Sequence, residues 1–144
     1  MNLSEHFTLA ELVASQAAAR GGLDNTPSAV TIDALRKTAA LLERVRTLLG
    51  NRPLLVSSGY RAPAVNQAVG GAANSAHVLG CAADFSCPGF GSPLEICREI
   101  AASDIAFDQL IHEFRAWVHI AWAPGGNRRQ ILTIDAQGTR AGLA

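Results

Sequence analysis

Charge of either sign is scarce in this chain: 17% of its 144 residues are charged, and 12 basic residues balance 12 acidic ones to a net charge of zero. Without a basic surplus there is no broad field to attract nucleic acid, so that partner class is set aside. Cysteine is nearly absent, with Cys81, Cys87 and Cys97 at no finger-like spacing. An odd count excludes a fully paired disulfide framework, and the spacing excludes a zinc finger. Reduced, packed thiols are expected, with Cys87–Cys97 the one pair to consider for a bridge. No apolar run approaches the roughly 18 residues of a membrane span, so no stable membrane association is expected. The opening Met1–His6 lacks a basic segment followed by an apolar one, so no secretory leader is expected either. Repeats and long linkers are also missing, and residues 1–144 are expected to form a single domain.

What is present is apolar residue, 49% of the chain, enough for a real core. The pattern Thr8-Leu-Ala-Glu11 is a capping box and predicts a short helix from Thr8 toward Ala18. Arg20 to Pro27 is dense in turn formers and predicts a loop. Ile32, Leu35, Ala39, Leu42, Val45 and Leu49 recur at threes and fours and predict a long amphipathic helix, started by Ser28 or Thr31 and closed by Gly50. Leu54–Ser57 predicts a buried strand, Pro63–Val69 a short helix and Ala82–Ser86 a second strand. Ser92, Pro93 and Glu95 open a helix reaching about Ala102. Phe107–Glu113, Trp117–Trp122 and Gln130–Ile134 are strand-like, and a polar tail follows. Strands and helices mix without strict alternation, which predicts an α+β fold: a small, mainly antiparallel sheet with helices packed against it.

The chemistry gathers in Ser75–Asp84, which offers an imidazole, a glycine and a carboxylate inside an apolar run. On a straight helix His77 and Asp84 would stand roughly 10 Å apart along the axis. Zinc bonds of about 2 Å need ligand atoms far closer than that. Gly80 is therefore expected in a turn that folds Asp84 back onto His77. Trp117–Trp122 alternates, so Val118 and Ile120 point one way and His119 the other. Glu113 is six residues earlier. A hairpin turn centred near Ala116 would set it directly opposite His119, with Cβ atoms about 5 Å apart. Three ligands, His77, Asp84 and His119, leave a fourth position open, the pattern of a catalytic Zn2+ site. Glu113 then serves as the base, and Arg61 holds either a substrate carboxylate or a developing oxyanion. Trp117 is expected on the cleft wall, against substrate. His112 has the opposite parity to Glu113 and is expected in packing or at the surface rather than in ligation.

On these residues the chain resembles the zinc D-Ala-D-Ala carboxypeptidase family, in a superfamily with the D-Ala-D-Ala dipeptidases and the hedgehog signalling domain. The matching pieces are Ser58–Arg61, Ser75-Ala-His77 through Gly80 to Asp84, Trp117-Val-His119 and the opening His6–Leu12. The resemblance implies a peptidase fold, Zn2+ on His77, Asp84 and His119, and Ser75 at the substrate edge. The dipeptidases place their acid three residues before the last histidine, where this chain has Ala116. The hedgehog and endolysin-like branches place it six before, which matches Glu113. The compact form, with Arg128–Asp135 near the end, is similar to the phage endolysin branch. The implied function is a monomeric zinc peptidase cutting peptidoglycan stem peptides, made in a host cytoplasm and reaching the wall through a separate membrane pore. Two rivals stand beside it: a bacterial D-Ala-D-Ala carboxypeptidase or dipeptidase, and a non-catalytic, zinc-stabilised binding or virion structural domain.

Overall fold

The computed structural model describes residues 1–144 as five helices and six strands. In chain order they are α1 (Leu9–Val13), α2 (Gln16–Gly21), α3 (Ala29–Leu48), β1 (Leu55–Ser58), α4 (Pro63–Ala68), β2 (Ala82–Ser86), α5 (Pro93–Ala101), β3 (Gln109–Glu113), β4 (Trp117–Ala121), β5 (Gln130–Asp135) and β6 (Gly138–Ala141). The capping signals act where they were read. Thr8 and Glu11 close a reciprocal box on α1, Ser92 and Glu95 close another on α5, and Ser28, not Thr31, caps α3.

Two elements differ from expectation at the amino end. The helix from Thr8 toward Ala18 is two helices, because Ala14 is extended and the Ser15 side chain accepts the Ala18 N–H as a fresh cap. The second of them continues through Gly21, into the segment expected as loop. The strand after Pro53 starts at Leu55 and lies at the sheet's edge, so it is not buried: the Leu55 side chain is 54% exposed, while Leu54, just before the strand, is in the core.

The sheet runs β1-β2-β4-β3-β5-β6. Four of its five pairings are antiparallel, as expected, and β3–β5 is parallel. After β4 the chain crosses back to the far side of β3, so β5 must run in the direction of β3. The polar tail contributes a sixth strand, β6, which the sequence pattern did not announce. One face of the sheet presents Phe85, Val118, Ile120 and Leu110 to the stripe Leu35, Ala39, Leu42 and Val45 of α3 and to Ile96 and Ile100 of α5, all essentially inaccessible to water. That is the core. All three cysteines are free and buried, and burial pushes the Cys97 thiol up to about 12. No helix is long and apolar enough to cross a membrane. Period-two alternation leaves the other face of the sheet for Asp84, His119, Glu113 and Trp117.

Candidate metal centre

The site is built from a turn, two neighbouring strands and a hairpin. Beyond β1 the chain passes through Ser58–Arg61. The Tyr60 N–H donates to the Leu12 carbonyl at 2.7 Å, and a Cβ on Gly59 would overlap that same carbonyl oxygen. Only glycine permits so close a backbone approach. The Gly59 carbonyl in turn accepts from His77 Nδ1 at 2.7 Å, and the Arg61 N–H donates to the His77 carbonyl at 3.1 Å.

His77 sits on a single helical turn after Ser75, whose Oγ accepts the His77 N–H. Gly80 ends that turn at φ +75, with Cys81 N–H on the Ala76 carbonyl and Gly80 N–H on the His77 carbonyl. These two bonds make a Schellman stop, and the reversal expected at Gly80 is there. The chain then enters β2, where Asp84 is the cross-strand partner of His119.

The three side chains meet. Ligand atoms of His77, Asp84 and His119 lie within 4.8 Å of one another, and each residue is less than a tenth exposed. Asp84 Oδ1 is 3.2 Å from His77 Nε2 and 2.9 Å from His119 Nδ1. Because His77 Nδ1 donates to Gly59, a neutral His77 carries only a lone pair on Nε2. That lone pair then faces a carboxylate oxygen, acceptor against acceptor. A cation between them resolves the clash, and two imidazoles with one carboxylate are a donor set suited to Zn2+. Burial pushes the Asp84 carboxyl up, but the imidazoles of His119 and His77, when they carry a proton toward it, outweigh burial and hold the group well below the usual carboxylate range.

The expected pairing of Glu113 with His119 is not found. The hairpin pairs Glu113 with Trp117 and Ile111 with His119. Its turn is centred on Arg115 rather than Ala116: Phe114 and Arg115 both have positive φ (52 and 58), and the Ala116 N–H closes onto the Glu113 carbonyl. Moving the centre by one residue moves the partner by two, an even number, so Glu113 keeps the face of His119. Its Oε1 lies 3.9 Å from His119 Nδ1. Burial and, next, the Asp84 charge push the Glu113 carboxyl above its ordinary value, against the pull of His119 and Arg61.

Arg61 is half-buried beside these carboxylates, and its Nε has no hydrogen-bond partner. Trp117 is in the same condition: its indole N–H is turned toward Glu113 without a well-formed bond, and its ring lies 5.7 Å from that of Phe114. A cleft of about 940 Å³ takes in all seven residues named from the sequence: Arg61, Ser75, His77, Asp84, Glu113, Trp117 and His119. His112 points to the core side, its ring at the Ala144 carbonyl, as its parity implied. Two contributors carry no sequence signature. The Gly59 carbonyl leaves no mark in a sequence beyond the glycine itself. Thr38, on the core helix, donates to the Gly80 carbonyl at 2.6 Å and accepts the Trp122 N–H, tying α3 to the turn.

Two comparisons with known proteins bear on this centre. A family model described as peptidase M15 matches residues 5–121, which include every residue just named except Ala144 and Trp122. Among curated proteins, the zinc D-Ala-D-Ala carboxypeptidase of Streptomyces albus G is 36% identical over 70 residues, 49% of this chain and 26% of that protein. The match thus spans about a quarter of the relative's length.

Proposed function

Because the chain belongs to the peptidase M15 family, we propose that it is a zinc metallopeptidase hydrolysing an amide bond in peptidoglycan stem peptides. One observation carries the reading: His77, Asp84 and His119 converge within 4.8 Å in an open cleft, with a carboxylate of raised pKa beside them. When bound, Zn2+ supplies Lewis acidity, polarising the scissile carbonyl and making water acidic near neutral pH. The chain's own residues do the rest. His77 is oriented by Gly59, so its Nε2 is committed to the centre. Glu113 takes the proton of the attacking water as its oxygen bonds to the carbonyl carbon. It then returns that proton to the amine as the C–N bond breaks. The unpartnered Nε of Arg61 is free to donate to the oxygen on which charge develops, and burial strengthens that interaction.

Digestion of purified peptidoglycan by wild type and Glu113→Ala, with product masses read out, tests this. The variant should keep its zinc and lose about 10²–10⁴ in kcat. Equal activity would remove Glu113 from the mechanism, and a zinc-loaded wild type inert on every muropeptide would favour a non-catalytic binding domain. Within this reading the finer assignment is a phage endolysin, made in the host cytoplasm and released to the wall through a separate pore. The glutamate six residues before His119, a spacing the endolysin-like branch shares, supports it. A lysin clears the turbidity of whole sacculi, whereas a trimmer of terminal D-Ala releases the free amino acid and leaves them standing.

A further inference from the structure

The metal-ligand cleft does not stand alone. A second cavity of about 480 Å³ meets it at Arg61 and Val69, which line both. It is the gap between β1 (Val56, Ser57, Ser58) and the α1–α2 link (Ala14, Ser15) with the first turn of α2 (Gln16, Ala17). Strand β1 ends the sheet order and has a neighbouring strand on one side only, so its outer edge is a row of main-chain donors and acceptors facing that gap. The lining is uncharged apart from Arg61, and most of it is alanine and serine. On the opposite side of the ligands the first cleft continues to Gln109 and Arg128. The candidate centre thus lies partway along a furrow, with room on both sides of it.

We propose that this gap is a peptide subsite, so that the enzyme cuts within a peptide instead of removing a terminal residue. Its occupant is the substrate's own chain, continuing past Arg61 for about two residues as an extended segment of small, uncharged side chains. Three features favour that occupant. An exposed sheet edge binds extended main chain by strand addition, which needs no particular side chain. The wall carries no charge apart from Arg61, so it offers no partner to a charged side chain beside that main chain and suits small, uncharged ones. A pocket specialised for a chain end would close behind the group that grips the terminal carboxylate, and here open space lies behind Arg61. Contacts remote from the reacting bond raise kcat/KM when they help to position it.

The inference rests on the peptidase reading, and its test separates the two. Product masses from peptidoglycan first identify the bond that is cut. Peptides are then built around that bond, ending one residue beyond it or continuing by two alanines, on either side. Wild type should prefer the chain extended on one side by about tenfold in kcat/KM. Ala17→Trp, which fills the gap from the surface of α2, should collapse that ratio toward one. Ala19→Trp, on the exposed side of the same helix, should preserve it. If wild type cuts short and extended peptides equally, or if Ala17→Trp leaves the ratio intact, the subsite is refuted while the peptidase reading stands. If no peptide and no wall preparation is cut, the peptidase reading itself falls.

Discussion

Glu113 shows most directly how one residue's chemistry and stability oppose each other. Its carboxyl is pushed above the ordinary value by burial and then by Asp84, so folding favours the protonated form. For a group whose folded value is raised, the stabilising contribution is fully present below the unfolded value, about 4.3, and is lost as pH rises through the folded one. At neutral pH the ionised side chain therefore works against the fold. The metal-free Glu113→Gln variant should melt a few degrees above metal-free wild type at pH 7, and the two should converge near pH 4. Calorimetry after chelation checks this; a lower melting point for the variant at pH 7 would show that burial and Asp84 do not govern the group. The comparison is made without zinc because the ion's own charge would reverse part of the effect. The identities of His77, Asp84, His119 and Glu113 were legible because titratable side chains are rare in this chain and stand in apolar surroundings. The Gly59 carbonyl was not, since every residue carries one and only the fold selects it.

At the scale of elements, the Gly80 turn makes a site out of two separated residues. Its φ of +75 and its closeness to Thr31 and Leu35 of α3 each disfavour a side chain. Gly80→Ala should cost about 1–2 kcal/mol from the backbone alone. It should also move His77 relative to Asp84, weakening zinc binding about 10- to 100-fold, as a loss of ligand orientation does. Gly22, at φ +62 with open space around it, is the control: Gly22→Ala bears the backbone term but should leave zinc affinity unchanged. Competition against a chromophoric chelator measures both, and equal affinities in the two variants would mean that Gly80 only ends a turn. Gly80 was readable because a geometric contradiction demanded a reversal somewhere between His77 and Asp84. The β3–β4 turn was harder. Phe114 and Arg115 occupy positions that asparagine or glycine usually mark, so no residue betrayed the centre. Parity rescued the placement of Glu113, because hairpin partners move in steps of two. The parallel β3–β5 pairing and β6 had no local signal, since both depend on where the chain returns after β4.

Across the whole molecule, the candidate centre joins parts that are distant in sequence. His77 comes from the turn held by α3 through Thr38, Asp84 from β2, and His119 from β4, while Gly59 links the set to the edge strand and, through Tyr60, to α1. Unfolding scatters all of these, so zinc should bind the native state far better than the unfolded one and stabilise it by mass action. At free zinc a thousandfold above Kd the gain is about 4 kcal/mol. For a chain of this size that corresponds to a rise of roughly 10 °C in Tm over the chelated protein. The rise should grow with the logarithm of zinc concentration and disappear in His119→Ala. Peptidoglycan digestion should vanish on chelation and return on adding zinc. Magnesium should not substitute for it, because two imidazole nitrogens suit zinc and a hard oxygen-seeking cation does not. A melting temperature indifferent to zinc would mean that the imidazole–carboxylate cluster is held by protons alone, and the metallopeptidase reading would fall with it.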